Sequence, residues 1–546
     1  MRRWLDGRPS WQRLLIAIGL GAVSALALPP FHVIPVLLLA VPGLLMLLDR
    51  RRGGRGAFAD GFWFGFGHHA VGLYWITEPI LFEAARFWWL VPIAVPILAS
   101  ALGVYVGLTC ALARVVAPAG WRRAMALAGF WVLADLLRGI MFTGFPWNPI
   151  GSVWAVPGAV GDVMLQPLAW IGAPGLTLVT LLLAAAPVLH RTGRVAAVAA
   201  LAAWIGFGVV RIGPLAASPN VAVALLQGNI SQSEKHDRRF ALDAFRTYVD
   251  LSRAAAHDAR ERYPDQPIVV VWPESASPFQ LDGDPGARVA VIDAAGPGVT
   301  TLAGSVRFDA AERPYNSLIA LAGPRTADGP LPPLAIYDKW HLVPFGEYQP
   351  AWARVGIQLV QGDGFARGPG PKTMNLPGLP PVGPLICYEV IFPGHVVDPT
   401  ERPAWLVNVT NDAWFGNWSG PRQHLAAVRM RAVEEGLPIM RAANTGISAG
   451  YDAFGRELGR IGMNRAGFLV LALPPNLQPT PFARLGLPIP LVMAIGAVAL
   501  SLSSSRIKRV PASINQSIDN LRLHRYIAVK PARERLEAMP HERDRD

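Results

Sequence analysis

PVGPLICYE, residues 381–389, decides how this chain is read. An apolar run of strand length ends on a cysteine that is followed at once by a tyrosine and a carboxylate, so Cys387 stands at the edge of a buried strand and not in its middle. A buried cysteine is ordinarily a small core hydrophobe. What sets Cys387 apart is the rest of the chain. A thiol with an ordinary pKa of about 8.5 needs a base or a neighbouring cation before it attacks at neutral pH. VVVWPES at 269–275 puts Glu274 just past a continuous β run, where its carboxylate can serve as that base. IYDKWHLVPFGEY at 336–348 sets Lys339 beside Tyr337, Trp340 and His341, and its ammonium can steady an oxyanion together with the Tyr388 backbone N–H.

Around these motifs, residues 212–484 read as short apolar strands punctuated by Gly and Pro. Strands are predicted at 221–227, 268–272, 300–306, 317–321, 382–386, 405–409 and 467–473. Helical periodicity runs between 233 and 262, and a second helix is expected over 422–435, with Pro421 at its start and Gly436 at its end. Strands mixed with helices in this way predict a layered α/β domain.

The remainder is written for lipid. Of 546 residues, 52% are hydrophobic and 16% charged, and the mean hydropathy is +0.32, too apolar for an ordinary soluble domain. Crossing a hydrocarbon core takes roughly 17–25 residues. Apolar runs near that length occur near 12–28, 33–49, 58–76, 88–113, 122–138, 165–189, 195–211 and 485–504, which predicts about eight spans. The first resembles a signal sequence, but six more spans before the polar segment make it an anchor. With a cytoplasmic N-terminus, the inner segments hold Arg2, Arg3, Arg8, Arg13, Arg50, Arg51, Arg52, Arg55, Arg114, Arg122, Arg123, Arg191 and Arg194. The outer loops hold essentially Arg86, with Arg138 and Arg211 at span edges. By the positive-inside rule this puts 212–484 outside, and 485–505 returns the chain to a cytoplasmic Arg506, Lys508, Arg509 cluster and a polar tail, 506–546.

The net charge of +12 and pI near 10.1 therefore belong to the membrane flanks, and no nucleic-acid partner is expected. Two cysteines exclude a disulfide framework. His68 and His69 are adjacent, a spacing that does not put two ligands on one helix face, and no HExxH or CxxC occurs, so no metal is expected. Asp60 and Asp135, near span ends, are expected to reach water or a headgroup. The sequons at Asn408 and Asn417 are read as loop structure.

In their order along the chain, the Glu274, Lys339 and Cys387 motifs resemble the nitrilase (carbon–nitrogen hydrolase) superfamily. LLQGNISQ at 225–232, Glu347 in FGEY and NVTNDAWFG at 408–416 extend the match. The resemblance implies an α-β-β-α sandwich in which Glu274 is base and acid, Lys339 the oxyanion stabiliser and Cys387 the nucleophile. Glu347 is a second carboxylate there. Tyr388 and Glu389 would shape the pocket or support its charges, while Trp414, with Trp340, Phe345, Tyr348, Phe415 and Trp418, would form apolar arms at the bilayer interface.

The spans, with FWFGFGHHAVGLYW at 62–75 and GFPWNPIG at 144–151, narrow the resemblance to the apolipoprotein N-acyltransferase family, over residues 1 to 505. This implies a cofactor-free enzyme of the bacterial inner membrane whose catalytic domain faces the periplasm. Its donor would be a membrane phospholipid, and its acceptor the N-terminal amine of the diacylglyceryl cysteine of an apolipoprotein. A membrane-tethered amidase would share the same three residues but need only a single anchor. A transporter would show internal repeats or charged midplane spans, and neither is evident.

Overall fold

The computed structural model describes residues 9–81, 84–214, 221–231, 240–323, 325–326, 329–330, 332–350 and 364–502. Arg2, Arg3, Arg8, the beginning of the helix expected from 233, and the expected tail 506–546 with the Arg506, Lys508, Arg509 cluster lie outside these residues.

Helices stand where the apolar runs predict them: α1 Ser10–Ala25, α2 Leu37–Asp49, α3 Gly54–Gly72, α4 Val91–Val116, α5 Trp121–Arg138, α6 Leu168–Ala184 and α7 Arg191–Arg211. Their lengths do not all match the expectation of eight spans. Among the described residues, three helical stretches are long and apolar enough to cross a membrane: Ala84–Val116, Leu168–Val188 and Arg191–Arg211. Ile34–Asp49 and Pro488–Ser501 are apolar but shorter. α3 is diluted by glycine, Arg55 and Asp60, and α5 by Arg122, Arg123, Asp135 and Arg138.

Small residues let these helices approach closely. A Cβ on Gly21 of α1 would stand 1.9 Å from the Phe64 carbonyl oxygen of α3. Asp60 does not reach water: it is fully buried and takes two hydrogen bonds from Arg51, at 2.7 and 2.5 Å. Asp135 likewise pairs with Arg138 at 2.9 Å. In an apolar bundle a carboxylate persists when a cation answers it.

The polar segment is built on two sheets. The first holds β1 Ala222–Gln227, β2 Ile268–Val271, β3 Val299–Phe308, β4 Pro314–Leu321 and β5 Ala335–Asp338. The second holds β6 Val382–Ile386, β7 Trp405–Thr410, β8 Ile439–Ala443, β9 Ser448–Tyr451 and β10 Glu457–Ile461. A last strand, β11 Gly467–Ala472, returns to the edge of the first, giving the orders β11-β1-β2-β3-β4-β5 and β10-β9-β8-β7-β6. The central pairs β1–β2, β2–β3, β6–β7 and β7–β8 are parallel, and of these strands β2 and β6 read as apolar runs because they are buried on both faces.

In β1, Val223 and Leu225 face a core shared with Val407 and Met440 of the second sheet, whereas Ala222, Ala224 and Leu226 face helices. Those helices are α8 Ala241–Arg262 and α9 Pro285–Ala295. α8 buries Ala244, Phe245, Tyr248, Ser252, Ala255, Ala256 and Ala259, a stripe at helical spacing. Over the second sheet lies α10 Gly420–Glu435, whose Leu425, Val428 and Ala432 continue the buried apolar cluster on that sheet's outer side, and Gly436 closes it in the left-handed region at φ 66°. The four layers are those of the expected sandwich. α9, β5, β8, β9 and β10 were not expected, and Asn408, read as loop, is buried within β7.

Candidate active site

Three strand ends deliver the three motif residues. β2 runs out at Val271 into Trp272, whose ring stacks on Tyr248 and whose Nε1 donates to Ser252 Oγ at 2.8 Å. Pro273 follows, so the chain leaves the sheet and Glu274 projects from its end. Gly304 on β3 makes room for that turn: a Cβ there would lie 2.2 Å from the Pro273 carbonyl oxygen and 2.8 Å from Glu274 Cα. β5 ends at Asp338, fixed by Arg307 Nε at 2.7 Å and Ser317 Oγ at 2.7 Å. Lys339 comes next, its N–H donating to the Asn316 carbonyl at 2.8 Å. β6 ends at Ile386, and Cys387 turns into a short 3-10 segment, Cys387–Ile391, with φ +52°.

Glu274, Lys339 and Glu347 form one buried charge cluster. Lys339, 1% exposed, donates to Glu274 Oε1 at 3.2 Å and to Glu347 Oε1 at 2.7 Å. Asn316 Nδ2 bridges the same two oxygens at 2.7 and 3.1 Å, and the Asn411 N–H donates to Glu274 Oε2 at 2.7 Å. Burial alone would raise the Glu274 pKa, but Lys339, Asn316 and the Asn411 N–H outweigh it and hold the carboxyl below its ordinary value. Burial would lower Lys339, yet the two carboxylates keep it well above its usual range. Cys387 lies within the field of both groups. Burial first, then Glu274, push its thiol up, so it rests protonated beside an ionised carboxylate.

Glu389 and Tyr388 hold the turn. Glu389 Oε2 accepts from the Ile386 N–H at 2.7 Å and from Tyr337 Oη at 3.0 Å, while Oε1 accepts from the Trp340 and His341 N–H groups at 2.7 and 3.3 Å. Burial nevertheless pushes its pKa up to about 7. One carboxylate thus ties the Cys387 turn to the Lys339 loop through backbone, and it does so without a hydrogen bond to the Lys339 ammonium. Tyr388 Oη donates to the Gly144 carbonyl at 2.9 Å, and His341 Nε2 reaches the Thr143 carbonyl at 2.7 Å. Both contacts fall on the loop between α5 and α6, so the helical region shapes this pocket directly. Trp414 is 38% exposed, with Phe345 at 40% and Trp418 at 59%.

Several residues of the site carried no readable signal. Asn316 sits in PYNS, and His424, Asp412 and Arg441 converge behind Cys387 from α10, the turn after β7 and β8. Asp412 lies within NVTNDAWFG, but its partners His424 and Arg441, 12 and 29 residues further on, lie outside that motif.

A thiol at a tight strand-to-turn junction, beside a carboxylate and ammonium held between two sheets, defines the carbon–nitrogen hydrolase class, and residues 223–478 match the family described as Carbon-nitrogen hydrolase. Residues 20–186 match Apolipoprotein N-acyltransferase N-terminal domain. The apolipoprotein N-acyltransferase of Rhodopseudomonas palustris is 38% identical over 537 residues, covering 92% of this chain and 96% of that protein. Those of Bradyrhizobium diazoefficiens (38%, covering 92% and 96%) and Caulobacter vibrioides (37%, covering 87% and 92%) are similar to it throughout. The chain belongs to the apolipoprotein N-acyltransferase family.

Proposed function

We propose that the protein transfers an acyl chain from a membrane phospholipid to the N-terminal amine of the S-diacylglyceryl cysteine of apolipoproteins, through a thioester on Cys387. Glu274 takes the thiol proton as Sγ attacks the ester carbonyl, and the carbonyl electron pair moves onto oxygen. Lys339 and the Tyr388 N–H face that oxyanion. As it collapses, the ester C–O bond breaks, Glu274 returns the proton to the departing lysophospholipid, and the acyl group stays on sulfur. The acceptor amine then attacks the thioester and regenerates the thiol.

The observation that carries this reading is the Glu274, Lys339, Glu347 cluster set at the Cys387 turn, with Tyr388 and His341 bonded to the loop between two apolar helices. Both substrates carry acyl chains and are confined to a bilayer, so a site walled partly by membrane helices suits them. In this reading residues 1–211 and 485–505 form a membrane domain of about eight spans, the shorter helices completing their crossings with flanking turns. Residues 212–484 form the catalytic domain on the periplasmic face of the bacterial inner membrane. Glu347, Tyr388 and Glu389 support the site, and Trp414 belongs to its exposed apolar arms.

Incubating the protein with labelled phospholipid and no acceptor is expected to label Cys387 through a hydroxylamine-sensitive bond, and Cys387→Ala to abolish label and turnover together. Normal turnover with no trappable thioester would rule the mechanism out.

A further inference from the structure

His424 has no part in the reaction just described, yet it touches the backbone of the nucleophile. Its Nε2 lies 3.0 Å from the Cys387 carbonyl oxygen, an atom that can only accept, so Nε2 carries a proton. Its Nδ1 edge faces Asp412 Oδ1 at 3.0 Å and Arg441 Nη2 at 3.3 Å. Arg441 Nη2 donates in turn to Asp412 Oδ2 at 2.6 Å, and its Nη1 donates to Asn408 Oδ1. His424, Asp412, Arg441 and Asn408 are each at most 1% exposed. Three separate elements therefore spend a fully buried, charged row on holding one imidazole against one carbonyl.

That carbonyl belongs to the peptide joining Cys387 to Tyr388. A trans peptide is planar, with its C=O and N–H directed oppositely, so fixing the carbonyl fixes where the Tyr388 N–H points. The backbone here needs fixing. Cys387 has φ +52°, and a non-glycine residue in that region is strained and persists only where its surroundings over-determine it. Glu389 holds the strand side of the turn through the Ile386 N–H, and His424 holds the far side.

We propose that His424 is a positioning residue: backed by Asp412 and Arg441, it sets the Cys387–Tyr388 peptide plane so that the Tyr388 N–H faces the oxyanion formed when Cys387 is acylated. This rests on the acyl-enzyme reading above. It needs no particular donor or acceptor.

The test uses the full-length protein in detergent and compares two reactions of the same thiol. The burst of 4-nitrophenolate from 4-nitrophenyl butyrate reports acylation, which passes through an oxyanion. Alkylation by iodoacetamide is a displacement at carbon and forms none. His424→Gln places an amide nitrogen near the position of Nε2, and His424→Asn places one near Nδ1. His424→Asn is expected to slow the burst about 10²-fold, the size of one lost oxyanion donor, with alkylation within about two-fold of wild type. His424→Gln is expected to keep most of the burst. Asp412→Asn, which loosens the support behind the ring, is expected to slow the burst and spare alkylation, and it serves if His424→Asn does not fold. Equal losses in the Gln and Asn variants, a parallel fall of burst and alkylation, or a wild-type thiol that alkylates without any burst would each overturn the proposal. Because the ester is neither a phospholipid nor a lipoprotein, failure of lipoprotein acylation would count against the proposed function and leave this test standing.

Discussion

At the scale of the residue, Lys339 does two things that the sequence separates poorly. In the proposed mechanism its ammonium stabilises an oxyanion, and it also lies between two buried carboxylates, Glu274 and Glu347. From sequence alone, Lys339→Met is expected to harm rate far more than stability. The buried bridge changes that expectation, because removing one partner of a buried ion pair strands the other at a cost of about 3–5 kcal/mol. Lys339→Met should lower acylation about 10²–10³-fold and also lower the melting temperature at neutral pH. Glu274, buried and left without that cation, would have a folded pKa raised above the unfolded value. The variant's stability is then greatest below about pH 4, near the ordinary Glu value, and falls as pH rises through the raised folded pKa. Adding Glu347→Gln should restore much of the stability and none of the rate. A single variant that melts like wild type from pH 4 to 8 would contradict this, as would a double variant that regains activity.

Elements rather than side chains decide how Glu274 meets Lys339. β2 and β3 are parallel neighbours, and the turn carrying Glu274 folds back over β3, where Trp272 N–H donates to the Leu302 carbonyl at 2.8 Å and Ser277 N–H to the Gly304 carbonyl at 3.0 Å. Gly304→Ala would press a methyl into Pro273 and Glu274. Overpacking of this kind costs about 1–3 kcal/mol, and displacing a reacting group by about 1 Å costs about 10²-fold in rate. Gly459→Ala on the edge strand β10 meets only flexible leucine ends, Leu471 and Leu469, at 3.3 Å or more. Burst rates and melting curves of the two variants should diverge sharply, and equal behaviour would remove the close approach from the account. The same elements show what was legible beforehand. Strands buried on both faces, such as IVVV and VGPLI, announce themselves as apolar runs, and the three motif residues follow from where such runs stop. β8 escaped because IMRAA places Arg441 in a buried strand, and that charge has meaning only beside Asp412. β9 is four residues long, and β10, ELGRI, has no buried residue and no alternation to mark it. The α5–α6 loop contacts escaped because their partners lie about two hundred residues away, 244 from Gly144 to Tyr388 and 198 from Thr143 to His341.

Across the whole molecule, one glutamine shows how the helical and sandwich portions are joined. Gln423 Oε1 accepts from the indoles of Trp75 and Trp147 at 3.0 and 2.9 Å, and its Nε2 donates to the carbonyls of Pro29 and Gly72 at 3.2 and 3.1 Å. Gln423→Leu would leave two buried indole N–H groups unpaired, at about 1–3 kcal/mol each, and should lower the melting temperature in detergent. Gln423→Glu keeps the acceptor and should lose less. A leucine variant as stable as wild type would show that these bonds do not hold the portions together. The rest of α10 repeats the pattern. Ala426, Met430 and Val433 pack on Leu165, Leu168, Ala173 and Trp204, Arg429 reaches Asp162 at 2.6 Å, and Glu434 accepts from the Ala173 N–H at 2.7 Å. A helix buried on every side belongs to both halves at once. The relation is that of obligate partners that happen to share a chain: along α10 each half completes the other's burial, and each is the other's selective environment. A substitution at Trp147 must be answered at Gln423, and one at Asp162 at Arg429, so the two halves can diverge from an ancestor only in step.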